Sequence, residues 1–578
     1  VENGTIHEQV PHIMKRPDNI AYWVDEIPPA WISFLQGLQH ISVYAISLVF
    51  PVMIVRTIGA PTEQAMFLVS ISMIAGGIGV ILQSMKTRPM GSGFLIPQIC
   101  GPSFIPSSLL AAQVGGVPLI LGMTMFAGSL EMAFSRFIKK LRVLFPPEVT
   151  GVIVTMVGIS VVGLATKNFV GLTGSHKVVE PRFLLVSVST LALMIAINVW
   201  TKGKLKMFSV LVGMIVGYIL AIITGVIPPS DLEKVKTASF GWFPFTRHPG
   251  WAFRWEMVLP FTVAMICSSL KSIGDMITAQ KINDRAWKRP DMENISGGIL
   301  ADGAGCFTAG LLGGMGQSTS SANLGLTIAT GVTSRRVALW MGGTLIVCGF
   351  LPKLSVLFAI MPPPLMGSVL IFALSFMVVA GLQIITSRMM DARKSFVVGL
   401  SIIFGLSADL APQIYQNVPH WIHPVVASSL SLSAVLAILL NLVFRIGISD
   451  KATFPLKLDA PSDIVFQEME RLGKRWGARP EVIYRAAAAL EELKNLLGLL
   501  EPSPKDVTVK AVFDEFNLNI WTEYEGPPIE VTPAIAPPSF DEIPSAESLA
   551  VRMLNRYPDS IKVKHEKGLT TVHLHFDH

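Results

Sequence analysis

Charge is what this sequence has least of. Asp, Glu, Lys and Arg make up 15% of its 578 residues, where soluble domains carry about a quarter. The deficit excludes a water-facing surface for most of the chain and points to lipid as the solvent. Cysteine is scarce as well. Cys100, Cys267, Cys306 and Cys348 are the four, all inside or beside apolar runs and in neither disulfide nor metal-ligand spacing. They read as buried small hydrophobes. No nucleophile–base pattern marks a soluble enzyme, and no cofactor or metal is expected. The first 30 residues are polar and lack the short apolar core of a cleavable signal peptide. The net charge of +6 is not a nucleic-acid footprint, because Lys and Arg of a membrane protein gather on its cytoplasmic side.

What is abundant is apolar sequence. From Trp31 to about Arg445 the chain is a succession of apolar runs, each close to the ~20 residues a helix needs to cross a ~30 Å hydrocarbon core. About fourteen segments begin near Trp31, Ala65, Gly93, Val117, Val149, Phe183, Phe208, Met257, Ile295, Ser318, Val337, Met366, Phe396 and Val425. The expected fold is an α-helical polytopic membrane protein. It has a polar N-terminal segment over 1–30, a membrane domain over 31–447 and a cytoplasmic α/β domain over 448–578.

Loop charge orients it. With the N-terminus inside, the inside loops carry Lys86 and Arg88; Arg136, Lys139, Lys140 and Arg142; and Lys202, Lys204 and Lys206. Further on they carry Lys281, Arg285, Lys288 and Arg289; Arg335 and Arg336; and Arg388, Arg393 and Lys394. The short outside loops are nearly empty of both residues, and one longer outside loop, 228–254, is mixed. Both termini are therefore expected in the cytoplasm, across a cell inner membrane.

Two segments are broken. Pro97, Gly101, Pro102 and Pro106 interrupt the third, and Gly313, Gly314, Gly316 and the polar run Gln317–Ser321 interrupt the tenth. They are seven spans apart, so two similar halves would be inverted relative to each other. Paired breaks of this kind point to the binding site of a secondary transporter, since irregular backbone at membrane depth survives only where it is buried in protein or lines a polar cavity.

Ionisable groups inside spans are costly and tend to be functional. Gln39-His40 lies in the first, Lys271 and Asp275 in the eighth, and Asp302 in the ninth; Asp409 stands near the outer end of the thirteenth. Lys271 and Asp275, four apart, share a helix face. They pair with each other, or Asp275 exchanges a proton while Lys271 faces the cavity. In the tenth segment, Ser318 to Asn323 offers hydroxyls, an amide and free backbone groups. The half-helix after it turns an N-terminus toward negative charge. Phe104 is placed to stack on a planar solute or to fill the core.

These positions resemble the nucleobase–ascorbate (xanthine/uracil permease) family over almost all of Trp31 to Arg445. The matching stretches are Gln39-His40, Gly101-Pro102-Ser103-Phe104, Lys271-Ser272-Ile273-Gly274-Asp275 and Gly298-Ile299-Leu300-Ala301-Asp302-Gly303. The last is Ala322-Asn323-Leu324-Gly325 with Thr330. The resemblance implies fourteen spans in two inverted seven-span repeats, a core domain moving against a gate domain, and a homodimer. It also implies short strands from the third and tenth segments meeting at mid-membrane beside the eighth span. The implied activity is proton-coupled symport of nucleobases such as xanthine or urate. Asp275 would couple the proton. Gln39, His40, Ser103, Phe104, Lys271, Ser321, Ala322 and Asn323 would surround the substrate. Two positions depart from the family: Lys271 stands where it has Glu, and Ala322 where it has Gln or Glu. A carboxylate accepts hydrogen bonds from base N–H groups and an ammonium only donates, so Lys271 favours an anionic or acceptor-rich ligand.

Beyond Asp450 helices are expected over Ile464–Leu472, Ile483–Leu500 and Ser545–Arg556. Strands are expected over Val507–Phe513 and Leu518–Tyr524, and two more within Ser560–Phe576. The order resembles the ATP-binding fold of histidine and anti-sigma-factor kinases, with Glu491 to Asn495 at its magnesium box and Gly568 to Val572 at its closing strand. Its glycine box is degenerate, Tyr524-Glu525-Gly526-Pro527-Pro528, which favours a regulatory or interaction domain. Two other readings stay open. One is a transporter of another small organic or inorganic anion, like the sulfate-permease family. The other is a membrane sensor signalling through the C-terminal domain.

Overall fold

The computed structural model of the chain describes residues 14–577 apart from 19, 87–88, 142–145, 173–177, 202–207, 239–243, 245–247, 288–289, 387–389, 420–422, 427, 446–449, 501, 505, 515–516, 530–545 and 567. Of the basic residues that orient the loops, Arg88, Arg142, Lys202, Lys204, Lys206, Lys288, Arg289 and Arg388 lie outside the described residues, as do the side chains of Lys139 and Lys140. The chain divides into two compact units, Val1–Ile385 with Val398–Ile438, and Thr386–Val397 with Leu439–His578.

The first unit is helical. Among the described residues eight helices are long and apolar enough to cross a membrane. They become nine if Arg335–Gly349 and Pro352–Ala359, bent by 80°, form one span. This is fewer than the fourteen apolar segments of the sequence, and three features account for part of the difference. The third and tenth segments are broken. Ser209–Ile223 and Ser429–Phe444 are short. Finally, Ile105–Leu141 runs as 37 residues without being one helix, because Gly116 takes a left-handed φ of 68° just before Pro118. A straight helix of that length would reach about 55 Å, and the break falls where a fourth apolar segment was expected to begin.

The breaks build the centre of the unit. Proline and glycine deny the third segment a continuous helix. It forms instead a strand, β1 (Gln98–Cys100), a 3-10 turn over Pro102–Phe104 and a helix from Ile105. In the tenth, Gly313 ends the helix Met292–Leu312 with φ 105°. A second strand, β2 (Gln317–Thr319), follows, and then the helix Ser321–Thr330. Ser320 caps that helix, its Oγ accepting from Asn323 N at 3.3 Å. β1 and β2 pair antiparallel, Gln98 opposite Thr319 and Cys100 opposite Gln317. Ser320 N donates to Pro97 O at 2.8 Å and Gly101 N to Gly316 O at 2.7 Å, extending the ladder at both ends. Each break thus satisfies the backbone groups that the other exposes. Gln98 is wedged between two helices at Gly79 and Gly305, where a Cβ would stand 2.0 and 1.9 Å from its Oε1.

The second unit is a five-stranded sheet in the order β3-β4-β5-β7-β6. Its strands are β3 (Asp450–Pro455), β4 (Val507–Phe513), β5 (Asn517–Glu525), β6 (Ser560–Glu566) and β7 (Leu569–Asp577). Every pairing is antiparallel, so the unit is a sheet with its helices segregated to one face, not a chain of βαβ crossovers. Val509, Ala511, Ile520, Val572 and Leu574 alternate onto that face. They share a core with Met469, Leu472, Ala486, Leu490 and Leu493 of the helices Ser462–Trp476 and Pro480–Gly498. A third helix spans Ala546–Arg556; Ser545, expected to begin it, lies outside the described residues. β3 was not expected at all.

Candidate functional site

The strand crossing lies against the helix Val258–Asn283, which carries the ionisable pair. Lys271 Nζ is 3.3 Å from Asp275 Oδ2, and the two side chains are 13% and 8% exposed. The same ammonium donates to the backbone carbonyl of Thr319 in β2. Thr319 Oγ1 lies 2.6 Å from Asp275 Oδ2 and 2.9 Å from Ser272 Oγ. Ser272 Oγ in turn donates to Asp302 Oδ2 at 2.5 Å. One turn earlier, Ser269 Oγ donates to Glu131 Oε1, also at 2.5 Å. The helix thus reaches three buried acidic side chains from a single ridge: Asp275 on itself, Asp302 on Met292–Leu312 and Glu131 on Ile105–Leu141.

His40, on the helix Ala30–Tyr44, meets the capped end of Ser321–Thr330. Its Nδ1 is 2.9 Å from Asn323 Oδ1, which makes Nδ1 the protonated ring nitrogen, and Asn323 Nδ2 donates to Ser320 Oγ at 3.0 Å. Gln39 is buried beside it. His40 Nε2 and Gln39 Oε1 have no hydrogen-bond partner among the described residues. Ser321 and Ala322 are exposed at the start of their helix. Gly274 and Gly325 are exposed too, with no heavy atom within 4 Å of a notional Cβ. Lys271, partly exposed, lies on the same helix as Gly274.

Phe104 and Ser103 are placed differently. Phe104 is fully buried, 6.5 Å from the Phe261 ring at a 42° tilt, and it lies over Gly316, where a Cβ would come within 2.6 Å of the ring. Ser103 lines a cavity of about 30 Å³ with Ser107 and Ser431, room for about one water. No hydrogen bond or ring contact among the described residues ties either side chain to the Lys271 network. Thr319 enters the sequence reading only as one hydroxyl of the Ser318–Asn323 stretch and Ser272 only as a motif position, and Glu131 does not enter it. A lone Glu within the fourth apolar run is a signal that finds Glu131; single hydroxyls at Ser272 and Thr319 give none.

In the C-terminal unit the magnesium-box resemblance meets a different arrangement. Glu491 Oε1 accepts from Ser462 Oγ and pairs with Lys494 Nζ, both at 2.7 Å. Tyr524 is buried and donates its hydroxyl to Pro527 O at 3.0 Å.

Crossed half-spans around a buried ion pair, in a bundle of apolar helices, define a multi-pass membrane transport protein and not an enzyme. The sequence profile Xan_ur_permease, described as Permease family, matches residues 32–414, and the chain belongs to that family. The xanthine permease XanP of Escherichia coli strain K12 is 26% identical over 439 residues, 74% of this chain and 94% of its own length. The uric acid permease PucJ of Bacillus subtilis strain 168 is 28% identical over 424 residues, 72% and 92% of the two chains. Among solved structures, the murine solute carrier 26 family member A9 anion transporter, in its inward-facing state, superposes with a TM-score of 0.52. It is 10% identical, covering 75% of this chain and 72% of that one. That likeness establishes a fold shared with solute carrier 26 proteins.

Proposed function

We propose that the protein is a proton-coupled secondary transporter of purine-type nucleobases of the xanthine and urate class. The observation that carries this reading is the buried Lys271–Asp275 pair beside the β1–β2 crossing. It sets an exchangeable proton site next to a cation suited to an acceptor-rich base. The names of the relatives, a xanthine permease and a uric acid permease, support the substrate class. Asp275 takes up and releases the proton. Lys271, with Ser321, Ala322 and Asn323 at the half-helix start, faces the substrate, and Gln39 and His40 complete the wall. Phe104 and Ser103 shape the β1 side.

In this reading the helices and half-helices make fourteen spans in two inverted halves over residues 31–447. Core and gate domains alternate access within a homodimer, and both termini face the cytoplasm of a cell inner membrane. The segment 448–578, a degenerate relative of the kinase ATPase fold, is a regulatory or interaction domain.

The test is uptake of labelled urate, xanthine, hypoxanthine and uracil into liposomes holding the purified protein, with and without an inward proton gradient. Gradient-driven uptake of the oxopurines is the expected result. Uptake of none of them, with uptake of a small organic or inorganic anion instead, would replace the substrate class. Lys271 is the feature that favours that second reading.

A further inference from the structure

Four oxygen atoms form an unbroken chain through the core of the membrane unit. Asp275 Oδ2 lies 2.6 Å from Thr319 Oγ1, which lies 2.9 Å from Ser272 Oγ, which lies 2.5 Å from Asp302 Oδ2. Thr319, Ser272 and Asp302 are fully buried and Asp275 is 6% exposed. Each hydroxyl owns a single hydrogen and an ionised carboxylate owns none. Two hydrogens therefore have to serve three contacts. If both carboxylates are ionised, Thr319 donates to Asp275 and Ser272 donates to Asp302. The 2.9 Å contact between the two hydroxyl oxygens then has no hydrogen in it, an unmade bond where burial makes unmade bonds expensive. One added proton removes the deficit, and it does so on either carboxyl. Placed on Asp275, it gives Asp275→Thr319→Ser272→Asp302. Placed on Asp302, it gives the same three bonds in the opposite sense.

We propose that the transported proton belongs jointly to Asp275 and Asp302 and passes between them along Thr319 and Ser272. In the transfer, Asp302 Oδ2 gives its proton to Ser272 Oγ, Ser272 gives its own to Thr319 Oγ1, and Thr319 gives its own to Asp275 Oδ2. Three O–H bonds break and three form, and one unit of positive charge moves from one carboxyl to the other. This inference rests on the transport reading above and adds the coupling step. With the proton on Asp302, the Asp275 carboxylate is the counter-ion of Lys271. With the proton on Asp275, Lys271 loses that counter-ion, and its charge is open to an anionic or acceptor-rich substrate. Substrate and proton then load together. The other ionisable groups near the chain are Glu131, held by Ser269, and His40, held by Asn323. There is also Cys306, whose thiol points to Thr124 O at 3.8 Å. None of these three hydrogen-bonds to the four oxygens among the described residues.

Thr319→Val removes the hydroxyl and keeps the β2 carbonyl that Lys271 uses, and Ser272→Ala cuts the next link. In liposomes, proton-driven accumulation and substrate-linked proton entry are expected to fall roughly a hundredfold more than substrate exchange at equal concentrations, the low end of the scale of a lost proton-transfer group. Thr319→Ser is expected to restore both. Accumulation by Thr319→Val at the wild-type level would overturn the proposal. So would a parallel loss of exchange and accumulation that Thr319→Ser does not rescue. If the wild type moves no purine, the substrate reading fails on its own. The chain is then judged by pH-difference infrared spectra of the purified full-length protein. A protonated-carboxyl band that shifts in Thr319→Val and is lost in the Asp275→Asn, Asp302→Asn double variant supports it. A band indifferent to Thr319→Val refutes it.

Discussion

Lys271 and Asp275 stand one helical turn apart with Nζ 3.3 Å from Oδ2, nearly closed off from solvent. Removing one member of such a pair strands a buried charge, at a cost of about 3–5 kcal/mol. Lys271→Met is expected to lower the unfolding temperature of the detergent-purified protein accordingly. Asp275→Asn should cost less, because the amide still accepts from Thr319. The Lys271→Met, Asp275→Asn double variant should recover most of the loss. A double-mutant cycle by thermal unfolding measures the coupling directly, and strictly additive losses would mean that the two do not interact.

The His40–Asn323 contact ties the first helix to the tenth-segment half-helix. Both side chains are fully buried. Asn323→Ala leaves the His40 N–H without its acceptor and removes a donor to Ser320, for an expected loss of about 1–3 kcal/mol. Thermal unfolding reads this loss, and a variant as stable as wild type would show the contact to be dispensable.

Glycines 305 and 274 make opposite forecasts. Gly305→Ala drives a methyl into the buried Gln98 side chain, which otherwise donates to Ala301 O at 3.0 Å. Overpacking of this kind costs about 1–3 kcal/mol. Gly274→Ala enters open space, and an exposed helical Gly→Ala gains up to about 1 kcal/mol. Gly274→Ala is thus expected to fold at least as well as wild type. Its effect should fall on substrate KM, because Gly274 lies three residues from Lys271, on a neighbouring position of the helix surface. Melting temperatures and uptake kinetics of the two variants separate these effects.

Acid weakens the C-terminal sheet at His573. That ring stacks on Trp521 at 4.8 Å and 7° and bonds Asn519 Oδ1 at 2.9 Å, an acceptor that His575 shares at 2.8 Å. Burial, then the charges of His575 and Lys562, hold the His573 pKa below the ordinary histidine value. A lowered folded-state pKa means that the unfolded chain binds the proton more tightly. The contribution is therefore fully present above the ordinary value of about 6.5 and is lost as pH falls through the folded pKa. Amide protection factors in β5 and β7, which divide out the pH dependence of intrinsic exchange, are expected to fall on acidification in the wild type and to respond less in His573→Gln.

Much of this was legible in the sequence, and the parts that were not share a cause. Run length gave the helices. The proline and glycine clusters marked both broken segments, and four-residue spacing paired Lys271 with Asp275. The contact between Thr319 and Ser272 stays hidden, because it depends on how β2 crosses the helix Val258–Asn283, 47 residues away in the chain, and a lone hydroxyl has no periodic signature. For Phe104 the sequence leaves two roles open, stacking on a planar solute or filling the core. Only the tertiary structure shows Gly316 beneath its ring. β3 escaped notice because it is a six-residue edge strand with mostly exposed side chains, whose alternation rests on Ala452 and Phe454 alone. In the helix Pro480–Gly498, spacing placed Glu491 and Asn495 on one face but could not show Lys494 occupying the carboxylate.

The most direct test of proton coupling through Asp275 compares wild type and Asp275→Asn in liposomes, following urate accumulation down an inward proton gradient and urate exchange without one. Loss of accumulation with exchange retained is the predicted result, since Lys271 keeps its charge while the proton site is gone. Accumulation that survives in Asp275→Asn, still driven by the proton gradient, would contradict it.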